Sequence, residues 1–194
     1  MTPALARTEA PTVPFAYFRR LGRADQEVYR RSDGIHEVRL PSAEAVRDGV
    51  PRLERALATG DCAEAERAAD ALVRELSRVL EVPPPQVKVL AIRPRMEGAE
   101  LHGFYVAEPG RRPVVRVWMR TAARRQVVAF RTFLRTLLHE FVHHLDFELL
   151  RLPKSFHTQG FYERESSLVH ALLPGSPGPP GRGEDRAGPG GGGA

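Results

Sequence analysis

Cysteine is almost missing from this chain of 194 residues, with Cys62 standing alone. One thiol cannot close an internal disulfide, so stability must come from a packed core. Its position inside a helical pattern marks it as a small core residue rather than a catalytic thiol. Lysine is nearly as scarce: Lys88 and Lys154 are the only two among 29 basic residues. No run of about 18 apolar residues occurs, which leaves no candidate for a membrane-spanning helix. The N-terminal Met1-Thr2-Pro3-Ala4-Leu5-Ala6-Arg7 lacks the apolar centre of a secretion signal, so the expected location is cytoplasmic. Zinc-finger spacings are absent, and so is any ladder of alternating aromatic and basic residues.

What is present is a basic, arginine-rich chain of net charge +5. Such a balance invites a nucleic-acid partner. The arginines are spread along the chain with acidic residues between them, however, so nucleic acid is a possible partner without specific support. The length suits one domain with a sizeable core. Residues 1–14 carry three prolines and few large apolar groups, and read as a flexible arm. Residues 174–194 are rich in proline and glycine and read as a disordered tail. Residues 15–173 then form the single folded domain.

Within that domain the pattern runs helix, sheet, helix. A helix is expected around Arg23–Arg31, with a stop at Ser32-Asp33-Gly34. Ser42 can cap a second that runs to about Ala58. Asp61 with Glu64 opens a third, whose apolar stripe is Leu72, Val73, Leu76, Val79 and Leu80. Pro83-Pro84-Pro85 ends it. Three strand candidates follow at Val87–Ile92, Leu101–Ala107 and Val114–Met119, and the turns between them suggest an antiparallel meander. A long helix is expected from near Ala122 to about Leu150, and a last one from about Thr158 to Leu172. The expected class is α+β: N-terminal helices, a small three-stranded antiparallel sheet, a long helix and a final helix.

The long helix contains His139-Glu140-Phe141-Val142-His143, an HExxH motif. Residues four apart on a helix share a face, so His139 and His143 can hold one zinc ion from one side. Glu140 lies about 100° further round, beside the metal, where it can take a proton from a water that zinc activates. A catalytic zinc needs a third protein ligand and an open fourth position. Asp146, His157, Glu163 and Glu165 are the candidates. Asp146 shares the ligand side one turn on. His157 follows Pro153, where the chain can turn back, and Glu163 and Glu165 sit on the last helix. His144 is about 140° from His139 and should point away. His36, His102 and His170 match no site spacing.

Order and motif together resemble the SprT-like and related minimal zincin metallopeptidases, over roughly residues 61–172. In that family the third ligand is the histidine of an H-x-x-x-F pattern, which reads here His157-Thr158-Gln159-Gly160-Phe161. Residues from Glu100 through Val117-Trp118-Met119-Arg120 to Arg164-Glu165-Ser166-Ser167-Leu168 also resemble a group of uncharacterised bacterial metallopeptidases. The resemblance implies a zincin-like fold, one zinc per chain, and the ligands His139, His143 and His157 with Glu140 as general base. The chain lacks the C-terminal zinc ribbon of well-studied SprT-like proteins, so a DNA–protein crosslink substrate does not carry over.

Asp146 then becomes a residue behind a ligand, orienting an imidazole through its other nitrogen. Glu163 and Glu165 remain the alternative ligands of a gluzincin-like site. Tyr105, Tyr162 and Arg164 are candidate donors to a developing oxyanion. Val114–Arg120 is expected at the sheet edge beside the cleft, where a peptide can add as a strand and Trp118 can shape a subsite. The expected function is a zinc metallopeptidase acting on a peptide or protein. A non-catalytic zinc-stabilised binding module and a DNA-associated protease are the alternatives.

Overall fold

The computed structural model describes residues 14–94 and 101–175, with the backbone of residues 5–7, 95–96 and 99–100. Apart from these few backbone positions and Pro14, Pro174 and Gly175, the expected N-terminal arm and C-terminal tail lie outside the described residues.

A short strand β1 (Leu5–Arg7) pairs antiparallel with β2 (Ile35–Val38). Between them lie a 3-10 turn (Ala16–Arg20) and helix α1 (Arg23–Asp33). Helices α2 (Ala43–Arg47) and α3 (Val50–Thr59) occupy the stretch expected to be one helix. The break falls at Asp48-Gly49, just before Pro51, whose ring and missing N–H cannot sit inside a continuous helix. Helix α4 (Cys62–Val79) starts as expected, with the Asp61 carboxylate accepting from the N–H groups of Ala63 and Glu64. Cys62 packs partly buried against the core.

Strand β3 (Gln86–Ile92) leads through the small hairpin β4 (Arg95–Met96) and β5 (Ala99–Glu100) to β6 (Gly103–Val106) and β7 (Val114–Arg120). The expected antiparallel meander is corrected here. The order is β3-β7-β6, with β7 parallel to β3 and antiparallel to β6, so the sheet is mixed. The β4–β5 hairpin lengthens the link from β3 to β6 and leaves a slot that β7 fills. Its Val115, Val117, Trp118 and Met119 are all buried, as suits a central strand.

Strand β7 is therefore not an edge, contrary to expectation. The edges are β3 and β6, and they differ. On β3 the N–H groups of Val87 and Val89 are taken by Asp70 and Glu66 of α4. A side-chain cover of this kind blunts an edge.

Helix α5 (Phe130–Glu148) lies on the same sheet face as α4, against β6 and β7, and α6 (Gln159–Leu172) packs on α5 and β2. Helix α5 begins eight residues later than expected. Val128 N–H instead donates to Met119 O and Val127 bridges Arg120, so the β-branched pair extends the sheet end. One core joins α3, α4, the sheet, α5 and α6 through Leu53, Leu72, Val117, Leu138, Phe141 and Leu168.

Candidate functional site

Helix α5 presents His139 and His143 on one face, and the loop after it returns His157 to the same point. His139 Nε2 and His157 Nε2 are 3.0 Å apart, and His157 Nε2 and His143 Nε2 are 3.1 Å apart. One nitrogen from each of the three lies within 4.8 Å of the others, so the three could hold a metal ion. Phe161 sits under all three rings, with centroids 4.6–5.0 Å away. The aromatic residue of H-x-x-x-F is thus the floor of the cluster.

The two rings on α5 are held from behind. His139 Nδ1 faces Glu165 Oε2 at 2.8 Å, and Glu165 also accepts from Arg135 Nε at 2.5 Å. A carboxylate can only accept, so His139 Nδ1 donates to Glu165, and its Nε2 is turned toward the other two rings. His143 Nδ1 faces Ser155 Oγ at 2.7 Å, and Ser155 donates to Asp146 Oδ2 at 2.6 Å. The loop carrying His157 is tied by Tyr17, whose hydroxyl donates to His157 O at 2.8 Å. Burial pushes the His143 imidazolium down to about 3, with His139, His157 and Arg164 adding to the shift. Burial and His139 lower His157 too. Both rings are therefore neutral at pH 7, the state in which imidazole ligates a metal.

Glu140 lies beside the cluster, 6% exposed. Burial pushes its carboxyl up to about 7, with Glu165 adding to the rise, while His139 and a hydrogen bond from Tyr105 N–H oppose it. Gly103 on β6 makes room for it. A Cβ at that position would lie 2.7 Å from Glu140 Cγ and 2.9 Å from Cδ, closer than such atoms approach. These groups line a cleft of about 800 Å³ whose walls include Leu101, Phe104, Tyr105, Phe147, His157 and Tyr162. The outer strand β6 runs along it, with the Tyr105 N–H already given to Glu140.

The other expected site residues fall in different places. Tyr105 lines the cleft, but His144 Nε2 bonds Pro83 O at 2.7 Å, so His144 Nδ1 accepts the Tyr105 hydroxyl proton at 3.1 Å. That proton is committed away from the cleft. Tyr162 is 40% exposed, stacks on His157 and lines the cleft. Arg164 is fully buried and bonds Ser32 O, Ile35 O, Ser32 Oγ and Asp146 Oδ1, so it does not face the cleft. Burial raises the Asp146 carboxyl, and Arg164 and Ser155 pull it back.

Glu163 pairs with His36 of β2 and accepts from Gln159, away from the three histidines. Glu165 reaches the cluster behind His139 rather than as a third ligand. Trp118 is a buried sheet residue outside the cleft lining. His170 caps its own helix at Ser166 O, and His102 lines the cleft.

Three positions whose contacts shape the cluster or its supports were not singled out from sequence: Ser155, Gly103 and Gly160. Ser155 two residues before His157, and a glycine within a strand pattern at 103, were the available signals. No family model, curated protein or solved structure matches this chain.

Proposed function

We propose that this protein is a zinc-dependent peptidase of the HExxH type, with His139, His143 and His157 holding one zinc ion and Glu140 acting as general base. The observation that carries the reading is the meeting of three imidazole Nε2 atoms beside a buried carboxylate in an open cleft. Tetrahedral zinc with Zn–N bonds of about 2.0–2.1 Å separates its nitrogens by about 3.3 Å. The 3.0 and 3.1 Å separations come within a few tenths of that. Where imidazole lone pairs converge in this way, a cation between them would relieve their repulsion. All-nitrogen donors suit zinc better than magnesium or calcium. The order of these residues along the chain also fits the SprT-like zincin resemblance.

A zinc ion in this position supplies a Lewis acid that acidifies water and draws electron density from a carbonyl. The chain supplies the rest. Glu140, with its pKa near neutrality, takes the proton of the attacking water and passes it to the leaving amine. Tyr162 is the donor best placed for the oxyanion, since the Tyr105 proton is engaged and Arg164 is buried. Strand β6, an outer strand beside the cleft, could offer backbone groups other than the Tyr105 N–H to an extended peptide, which favours a peptide or protein substrate.

The test is cleavage of a fluorogenic peptide library by the zinc-loaded full chain and by Glu140→Gln. Turnover is expected to fall at least ~100-fold in the variant while zinc content stays the same. No turnover in either protein would leave a zinc-stabilised binding scaffold as the better account, and equal turnover in both would remove Glu140 as the general base.

A further inference from the structure

Ser155 stands between a metal-facing imidazole and a buried ion pair, and its hydroxyl proton has only one place to go. Asp146 Oδ2 is a carboxylate oxygen and accepts that proton at 2.6 Å. Ser155 Oγ is then left with lone pairs toward His143 Nδ1, 2.7 Å away. A lone pair there selects the Nδ1–H form of His143, which frees Nε2 to face His139 and His157. The other Asp146 oxygen is fixed by Arg164 Nη2 at 2.8 Å, and both side chains are completely buried. Arg164 is itself clamped by the carbonyls of Ser32 and Ile35, where α1 passes into β2.

A buried ion pair is a weak source of net stability, because desolvation offsets much of its attraction. A directional role explains its placement better. We propose that Ser155 is a positioning residue that sets the tautomer of His143, and that the Asp146–Arg164 pair aims the Ser155 hydroxyl. The relay runs from the α1–β2 junction through α6 and α5 to one ligand. His139 has its own carboxylate, Glu165, so the two helical ligands are oriented by separate devices.

The role rests on the three-histidine metal reading, and two measurements keep the failures apart. The first is nitrogen–proton NMR of the metal-free full chain, which reads imidazole tautomers directly. His143 is expected as Nδ1–H in the wild type, as a mixture in Ser155→Ala, and as Nδ1–H again in Ser155→Thr. The second is zinc affinity by chelator competition. Ser155→Ala is expected to lose roughly 10–100-fold, with recovery in Ser155→Thr and an unchanged melting temperature of the metal-free protein.

Asp146→Asn adds a reversal. Arg164 claims the amide oxygen, so the amide NH2 faces Ser155 and turns its hydroxyl proton toward His143, selecting the wrong tautomer. This variant is expected to bind zinc more weakly than Ser155→Ala, and the double variant no more weakly than Ser155→Ala alone. If Asp146→Asn does not fold, the two Ser155 variants decide the matter. Zinc binding by Ser155→Ala as tight as wild type, or an Nε2–H His143 in the wild type, overturns the role alone. A wild type with the Nδ1–H form that binds no zinc overturns the metal reading and this role with it.

Discussion

Glu140 is kept in a place where its charge is costly. Its folded pKa of about 7 lies above the ordinary 4.5, so between those values the folded chain holds a proton there that the unfolded chain has lost. Stability from this group therefore falls as pH rises through about 4.5–7 and stays lost above it. His143 runs the other way: depressed from 6.5 to about 3, it adds stability as pH rises through that window. In the metal-free protein, Glu140→Gln is expected to be more stable than wild type by roughly 1–3 kcal/mol at pH 8. The gain should vanish near pH 4, where both forms are neutral. Denaturant melts at the two pH values check this, and no gain at pH 8 would contradict the burial argument.

The same scale shows what could be read from the chain. His139, Glu140 and His143 follow from helical spacing, and His157 from its place in H-x-x-x-F. Arg164 reads from sequence as one of three candidate oxyanion donors, yet it is buried against Asp146 and the end of α1. Partners nine or more residues apart leave no periodic trace, so the contacts of Ser155 and Gly103 were not legible.

At the scale of elements, the angle at which α6 crosses α1 depends on one missing side chain. A Cβ on Gly160 would lie 2.5 Å from Asp33 O and 2.8 Å from both Ser32 O and Ile35 O. These are backbone atoms at a helix end and cannot swing aside. The Gly160 N–H also donates to Asp33 Oδ1 at 3.1 Å. Gly160→Ala is expected to cost roughly 1–3 kcal/mol and to weaken zinc binding, since α6 carries both Glu165 and Phe161. Thermal melting with and without zinc measures both effects, and an unchanged wild-type melt would show that the junction yields. The helix start at Asp61 was legible from its cap, the last helix was expected from about Thr158, and each of these side chains does bond the first turn. Strand order was not legible. Alternation identifies strands but does not say which two neighbours a strand takes, so β7 was set at an edge although it lies between β3 and β6.

Across the whole molecule, the positive charge is dispersed rather than gathered. Arg74, Arg78, Arg111 and Arg151 each pair with an acidic residue three or four positions away. Exposed pairs of this kind add little stability but soften the basic surface. No helix among the described residues is long and apolar enough to cross a membrane. The molecule's organisation instead points inward, to the meeting of α5, the loop after it and α6. The 3-10 turn supports that loop through Tyr17, and the α1–β2 junction supports it through Arg164. X-ray absorption at the zinc edge of the purified full chain tests this organisation most directly. The expected result is one zinc per chain with three imidazole nitrogens at about 2.0–2.1 Å and one oxygen ligand. A chain that takes up no zinc, or one whose zinc is held by fewer than three imidazoles with carboxylate oxygens in their place, would contradict it.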